Sequence, residues 1–247
     1  MGILRPLLKA YHRCEVRGLE NIPLGGALVV SNHSGGMLPM DVPIFASHFY
    51  EKYGYDRPVY TLSHAMLMVG PTADFFKKTG YILASHENAD EALRSGGLVV
   101  VFPGGDYDVY RPSTDANKID FDGRTGYVKA AINAGVPIVP MVGIGGQETQ
   151  LFLTRGERIA KALGPIARAA RTKVVPLSIG LPFGLSAVLP FNLPLPSKIV
   201  MQVLPPVDIA AEFGEEPDIN AVDARVRSVM QDALDQLAEE RRFPVLG

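Results

Sequence analysis

A histidine and an aspartate flank a glycine pair where a strand pattern gives way to a helix pattern. The segment VVSNHSGGMLPMDVPIF, residues 29–45, carries an apolar run into His33 and begins a helical pattern at Asp41. A carboxylate bound to one imidazole nitrogen would fix the tautomer and leave the other nitrogen to take a proton. With donors for a tetrahedral oxyanion, such a base is sufficient for acyl transfer to an alcohol. The pair therefore predicts a general-base site, with a capped or core histidine as the alternative.

Glycine pairs follow three predicted strands. They are Gly35–Gly36, Gly104–Gly105 and Gly145–Gly146. Because ligands of open α/β sheets bind outside the carboxyl ends of the strands, we expect the three pairs around one cleft. Glycine lets backbone amides approach a ligand oxygen closely, which suits an oxyanion or a phosphate.

Other chemistries lack their motifs. The five histidines show no His-Glu-x-x-His spacing, and with one cysteine we expect no metal site. Glu148 stands where a dinucleotide fingerprint needs its third glycine, and VVVFPGGDYD lacks the lysine of a phosphate-binding loop. A serine hydrolase is a less favoured alternative, since HSGG loosely resembles an esterase oxyanion loop but no Gly-x-Ser-x-Gly elbow exists.

Composition places the protein among ordinary globular proteins. Of 247 residues, 47% are hydrophobic and 20% are charged, which is ample for a core. The net charge of −2 gives no basis for nucleic-acid binding. A single cysteine, Cys14, excludes an internal disulfide framework and fits a reducing, cytoplasmic compartment.

Strand and helix patterns alternate along the chain. Strands are predicted at residues 27–32, 58–62, 81–84, 98–102, 137–144 and 199–204. Helices are predicted at residues 39–52, 65–78, 89–95, 125–134, 159–171 and 220–242. This alternation predicts a single α/β domain with a mostly parallel sheet covered by helices on both faces, a helical N-terminus and a C-terminal helix. We assign residues 1–18 to an amphipathic helix, 19–210 to the α/β domain and 211–247 to a C-terminal helix packed on it.

Two segments suggest contact with lipid. Residues 3–14 place apolar side chains at helical spacing between arginines and lysines, which fits a basic helix on a membrane surface or a terminal helix packed on its own domain. Residues 174–196 carry no charge but five prolines, which argue against a continuous spanning helix. We interpret this segment as buried loops and turns, or as an apolar surface for a bilayer or an acyl chain. With no signal-peptide pattern, we expect a cytoplasmic protein, peripheral on the inner face of the plasma membrane.

Four blocks in order carry a family resemblance. NHSGGMLPMD, GYILASHEN, VFPGGDYDVYRP and GVPIVPMVGI resemble the four blocks of PlsC-type glycerolipid acyltransferases in order and rough spacing, over about residues 15 to 205. The Phe-Pro-Gly-Gly form of the third block is most similar to the monoacylglycerol and diacylglycerol acyltransferase-like branch.

The resemblance implies an O-acyltransferase that moves a fatty acyl group from acyl-CoA or acyl-carrier protein to a glycerolipid-like hydroxyl, with no bound cofactor. His33 would be the general base and Asp41 its orienting partner. The expected substrate-binding residues are Asn32, Ser34, Gly35, Gly36, His86, Pro103, Gly104, Gly105, Asp108, Arg111 and Arg124. His86 stands where the family commonly has a phosphate-binding arginine, which points away from a lysophosphatidate acceptor.

The spacing of the first block departs from the family. Seven residues separate His33 from Asp41, more than the family usually has. This longer loop leaves a second hypothesis open, a lipid-binding protein on the same fold that has lost catalysis. The separation of the two side chains distinguishes the hypotheses.

Overall fold

A seven-stranded sheet forms the centre of the protein. The computed structural model describes residues 4–165, 173–187 and 189–247. Ten strands are described: β1 Glu15–Arg17, β2 Ala27–Ser31, β3 Val59–Ser63, β4 Tyr81–Leu83, β5 Leu98–Val101, β6 Ile138–Ile144, β7 Leu151–Thr154, β8 Leu177–Gly180, β9 Gly184–Ser186 and β10 Val200–Val203. The large sheet has the order β1-β10-β6-β2-β5-β3-β4.

Five adjacent strands of this sheet run parallel. β2 pairs with β5 on one side and β6 on the other, and β3 and β4 continue the parallel set. β10 runs antiparallel to β6, and β1 follows β10. The predicted mostly parallel sheet is confirmed. β2 occupies its centre, flanked by the two strands whose ends carry the other glycine pairs.

Helices cover both faces, as predicted. The described α-helices are α1 Leu4–His12, α2 Asp41–Tyr53, α3 Ala73–Lys78, α4 His86–Arg94, α5 Gly105–Val109, α6 Gly126–Ala134, α7 Glu157–Leu163, α8 Ile209–Phe213 and α9 Ile219–Glu240. One core cluster joins the sheet to α4, α6 and α9, and a second joins its other face to α1 and α2. Because parallel strands bury both faces, the predicted strands read as nearly continuous apolar runs.

The N-terminal segment is only partly helical. We predicted a helix through residue 18, but α1 ends at His12 and residues 15–17 form β1. Glu15, Val16 and Arg17 pair in parallel with Val200, Met201 and Gln202. The strand adds an edge to the large sheet, so this segment is part of the α/β domain.

The predicted helix at residues 159–171 begins earlier, at Glu157, and α7 ends at Leu163. Residues 166–172 of that prediction lie outside the described residues. The C-terminal helix is present as α9, where Asp218 caps the first turn and Val222, Val226 and Leu234 are buried. Among the described residues, no helix is both long and apolar enough to cross a membrane.

A second, smaller sheet lies where we predicted loops. β7, β8 and β9 form an antiparallel sheet, with β8 in the middle. The interpretation of residues 174–196 as loops and turns was therefore wrong for residues 177–180 and 184–186. The prolines do not prevent strands there, because Pro176, Pro182 and Pro190 all lie outside the strand bounds.

Candidate active site

Three loops meet at the carboxyl edge of the large sheet. They follow β2, β5 and β6, which are neighbours in the sheet. The amide of Gly35 donates to the carbonyl of Gly146 at 3.3 Å, and the amide of Gly36 donates to the carbonyl of Val109 at 3.4 Å. The first loop is thus bonded to both of the others, as expected for a shared cleft.

His33 and Asp41 lie in direct contact. Nδ1 of His33 is 2.6 Å from Oδ2 of Asp41. Because an ionised carboxylate only accepts hydrogen bonds, this contact places the imidazole proton on Nδ1 and leaves Nε2 to take a proton. The His33 side chain is 15% exposed and that of Asp41 is 2% exposed, so the imidazole reaches the surface while its carboxylate partner is shielded.

The loop between His33 and Asp41 is folded back by Asp41 itself. The Ser34 amide donates to Asp41 Oδ2 at 2.7 Å, and the Ser34 hydroxyl donates to Oδ1. Asp41 is the first residue of α2, where the helix dipole stabilises an anion. The carboxylate therefore binds both the start of the loop and the imidazole, and the seven intervening residues do not separate the pair.

A buried ion pair lies beneath His33. The His33 amide donates to Asp108 Oδ2 at 2.6 Å, and Arg111 Nη1 donates to Oδ1 of the same carboxylate. Both side chains are 1% exposed. Burial raises the pKa of the Asp108 carboxyl, while Arg111 and the His33 amide act in the opposite direction. We predicted substrate contacts for Asp108 and Arg111, and the structure instead places the Asp108 carboxylate as a support for the His33 backbone.

Arg111 nevertheless borders the cleft beside His33. The cleft is lined by His33, Ser34, Arg111, Ala116, Asn117 and residues 143–148. Among the described residues, Nε of Arg111 has no hydrogen-bond partner although it is buried. A guanidinium of this kind retains an N–H donor for a ligand oxygen.

Two contacts hold the strand end and the imidazole. Asn32 Nδ2 donates to the Gly143 carbonyl and Asn32 Oδ1 accepts from the Gly143 amide, both at 2.8 Å. The His33 ring stacks on Phe102, with 4.2 Å between centroids. Asn32 is therefore a positioning residue between β2 and β6, and Phe102, which we did not predict, restrains the imidazole.

The glycines permit close packing of the loops. A Cβ on Gly35 would overlap the Phe152 ring and Gln147 Oε1, and one on Gly146 would overlap Ser34. The amides of Gly35, Gly36 and Gly105 all donate to backbone carbonyls. In this arrangement the three amides bond within the protein and do not face a ligand.

The remaining predicted substrate-binding residues lie on the loop after β5 and beside it. Arg124 donates to the Gly104 carbonyl and to Asp106, both at 2.9 Å, and it is about one-third exposed. A Cβ on Gly126 would lie 3.8 Å from His86 Cε1. His86 is therefore close to Gly126, which follows Arg124 by two residues in the sequence. Pro103 is buried next to Gly104. His86, Arg124 and the second glycine pair thus form one region.

Sequence reasoning missed two residues that pack on the histidine loop. Gln147 donates to the Asp108 carbonyl at 3.2 Å, and Phe152 of β7 lies against Gly35. The signal for Gln147 was its place just after the third glycine pair. Phe152 had no such signal, because its strand was not predicted.

Comparisons with known proteins agree with this geometry. A family model described as Acyltransferase matches residues 13–143. An uncharacterized protein of Mycobacterium tuberculosis is 32% identical over 256 residues, covering all of this chain and 68% of its own length. The mouse protein named DGAT1/2-independent enzyme synthesizing storage lipids is 30% identical over 131 residues, 53% of this chain and 39% of its own.

A solved structure shares the fold. The crystal structure of the 1-acyl-sn-glycerophosphate acyltransferase PlsC from Thermotoga maritima superposes with a TM-score of 0.56 at 19% identity, covering 97% of this chain and 81% of that one. The family model covers more than half of the chain, and the resemblance noted from the four blocks is confirmed. The chain therefore belongs to the Acyltransferase family and is an acyltransferase.

Proposed function

We propose that this acyltransferase moves a fatty acyl group from acyl-CoA or an acyl-carrier protein to the hydroxyl of a glycerolipid-like acceptor. The 2.6 Å contact between His33 Nδ1 and Asp41 carries the proposal, because it supplies an oriented base at the surface of the cleft. Two similar proteins support a glycerolipid acceptor. One is the storage-lipid-synthesizing enzyme and the other is the lysophosphatidate acyltransferase that shares the fold.

The reaction needs one base and no covalent acyl-enzyme. Nε2 of His33 takes the proton of the acceptor hydroxyl as its oxygen attacks the thioester carbonyl carbon. A tetrahedral oxyanion forms and then collapses, breaking the carbon–sulfur bond. The leaving thiolate receives the proton back from His33, so the products are an ester and a free thiol. Asp41 stabilises the imidazolium between the two transfers.

Arg111 is the proposed donor for the oxyanion. The amides of Gly35, Gly36 and Gly105 are occupied, whereas Nε of Arg111 is buried at the cleft without a partner among the described residues. A preorganised donor shielded from water stabilises developing charge more strongly than an exposed one. Arg111 is held in place by Asp108, so one ion pair serves both the base and the oxyanion.

We propose an uncharged acylglycerol as the acceptor. His86 occupies the place of a phosphate-binding arginine, and the Arg124 guanidinium already binds Gly104 and Asp106. The reaction would take place in the cytoplasm at the inner face of the plasma membrane, where long-chain acceptors reside. The acyl donor binds as a substrate and its thiol leaves as a product, so the proposal requires no resident cofactor.

The contact between His33 and Asp41 favours catalysis over a binding-only protein. That hypothesis rested on the longer loop, and Asp41 closes the loop through Ser34. A protein nucleophile is not needed either, which distinguishes the proposal from an ester hydrolase.

The test is His33→Ala, assayed with labelled acyl-CoA and a panel of mono-, di- and lyso-lipids read by mass spectrometry. Loss of the base should lower turnover about 10²–10⁴-fold. The control is His48→Ala on α2, whose ring binds a backbone carbonyl of its own helix and should be dispensable. A His33→Ala protein with a native circular-dichroism spectrum and near-normal turnover would refute the mechanism. Release of free fatty acid in place of acylated product would identify a hydrolase.

A further inference from the structure

In the small sheet the serines are buried, whereas most of the leucine and isoleucine side chains are exposed. Across the strands, Leu151, Ile179 and Leu185 form one cross-strand row, and Phe152, Ser178 and Ser186 form the next. The first row is exposed at 49%, 42% and 65%, whereas all three residues of the second row are buried. We call the exposed set the outer row and the buried set the inner row.

This polarity is the reverse of an antiparallel sheet that faces water. Such a sheet normally buries its apolar face and exposes polar residues. Here the inner row is satisfied by hydrogen bonds, since Ser178 contacts Gln150 and Asn192 donates to Ser186 at 3.2 Å. Further exposed apolar residues extend the outer row on the same segment: Leu153, Leu181, Phe183, Leu189 and Leu193. Exposed apolar residues grouped along one segment in this way mark an interaction surface.

The segment that joins β7 to β8 is strongly basic. Residues 155–173 contain six arginines and lysines and one glutamate, although the whole chain carries a net charge of −2. Arg158 and Lys161 lie three apart on α7 and are exposed. Positive charge beside an apolar surface is the complement of an anionic lipid bilayer. A second copy of the chain would bring the same positive charge to both sides of an interface, which opposes self-association.

Helix α1 extends the apolar surface. Leu7 and Tyr11, one turn apart, are exposed, while Leu8 is buried in the core. The Tyr11 hydroxyl donates to the Pro194 carbonyl at 2.9 Å, next to Leu193. Leu193 in turn bonds to Leu181 at the end of β8. The apolar residues of the helix are therefore joined to the small sheet by a short run of chain.

The inner row connects this surface to the active site. Phe152 lies against Gly35 of the histidine loop, and its amide donates to the Ser113 hydroxyl at 2.9 Å. Arg155 donates to the Tyr107 carbonyl on the loop after β5 at 2.9 Å. One layer of sheet therefore separates the outer row from the loops around His33.

We propose that the outer row of the small sheet docks this enzyme on an anionic phospholipid bilayer, with the exposed Arg158 and Lys161 of α7 at the lipid headgroups. Docking in this orientation brings the histidine loop within one sheet thickness of the membrane, where a lipid acceptor resides. The binding itself requires no turnover, so it can fail or succeed independently of the proposed acyl transfer.

The test is sedimentation with vesicles of phosphatidylcholine alone and of phosphatidylcholine mixed with phosphatidylglycerol. The unmodified protein should bind the mixed vesicles. The triple variant Leu151→Ser, Ile179→Ser, Leu185→Ser should lose about a hundredfold in binding, because its apolar contact is removed. The double variant Arg158→Gln, Lys161→Gln should lose about tenfold or more on mixed vesicles, and little on neutral ones. Turnover of a water-soluble donor and acceptor should remain in both variants.

Matched controls lie on other surfaces. Leu24→Ser removes a leucine that is almost fully exposed near the opposite end of β2. Lys129→Gln with Arg225→Gln removes two exposed cations from α6 and α9. Neither control should change vesicle binding. Equal binding by the unmodified protein and the triple variant would overturn the proposal. So would light scattering that showed a dimer converted to a monomer by the triple variant, since the outer row would then be a self-association surface.

Discussion

The two sheets of this protein place their apolar side chains in opposite ways: the large sheet buries them, and the small sheet exposes most of them. Every residue of β2 is buried, and apolar side chains from both faces of the large sheet pack under helices. In the small sheet, the buried row is rich in serine and the exposed row consists of leucine and isoleucine. The large sheet is therefore stabilised mainly by apolar burial, and the small sheet depends more on hydrogen bonds.

The difference assigns separate tasks to the two regions. The large sheet fixes the positions of the three strand ends, and with them His33 and the Asp108–Arg111 pair. The small sheet adds a layer against the histidine loop through Phe152 while keeping its outer row available. The exposed apolar residues of the small sheet therefore contribute less to folding than those of the large sheet, in agreement with the docking role proposed for them.

Phe45 should show the largest effect of any substitution considered for this comparison. The side chain is fully buried on α2 beneath the large sheet. Phe45→Ala leaves a cavity and should lower the free energy of unfolding by about 3–5 kcal/mol. Urea denaturation followed by circular dichroism measures the change.

Leu185→Ala is the counterpart in the small sheet. Since Leu185 is 65% exposed, its removal should alter the free energy of unfolding by less than about 0.5 kcal/mol. A loss similar to that of Phe45→Ala would show that the outer row is packed within the folded protein, and the contrast between the sheets would fail.

The large sheet could be predicted because the burial of both its faces produces a recognisable pattern of apolar residues in the sequence. Strands such as Ala27–Ser31 and Leu98–Val101 are β-branched runs bounded by glycine, as expected when both faces are buried. Alternating helix patterns then required parallel crossovers. β1 was missed, since three residues with two charges carry no strand signal until Val200–Val203 pairs with them.

The small sheet could not be predicted in the same way. The segment LSIG alternates apolar and polar residues, but prolines flank it and each strand has only three or four residues. Alternation would also have given the wrong face, because the rule places leucine and isoleucine inside. The buried serines bond to Gln150, which precedes Ser178 by 28 residues, and to Asn192, which lies outside the strands.

The candidate site was only partly visible in the sequence. His33 and Asp41 were identifiable because the strand–loop–helix pattern brings them to one edge. Arg111 and Asp108 were expected in contact with substrate because they follow the glycine pair of the third family block. Their burial as an ion pair depends on how the three loops pack together. No local sequence pattern predicts that packing.

Substitution of Gly35 tests the contact between the histidine loop of the large sheet and the small sheet. A methyl group there would overlap Phe152 and Gln147, so Gly35→Ala should displace the histidine loop and lower turnover about a hundredfold. The global unfolding free energy should change little, because the large sheet is untouched. The control is Gly126→Ala, where the added Cβ makes only ordinary contact at 3.8 Å with His86.

A second substitution that relieves the clash tests the role of Gly35 more strictly. Adding Phe152→Leu to Gly35→Ala should restore part of the turnover, since the shorter side chain opens space beside the loop. Failure of this rescue, with Gly126→Ala fully active, would mean that Gly35 matters for a reason other than its contact with the small sheet.

Asn192 tests the hydrogen bonding of the small sheet. Its buried side chain donates to the Gly184 carbonyl at 2.8 Å and accepts from the Phe183 amide at 3.0 Å, across the turn between β8 and β9. Asn192→Leu keeps the size but leaves both groups unpaired, which should cost about 1–2 kcal/mol. Hydrogen exchange should report lost protection in β8 and β9 but not in β2 or β5, and exposed Asn220→Leu should change neither. Protection lost equally across both sheets would show that they unfold as one unit, because a sheet stabilised by its own hydrogen bonds should open before the apolar core does.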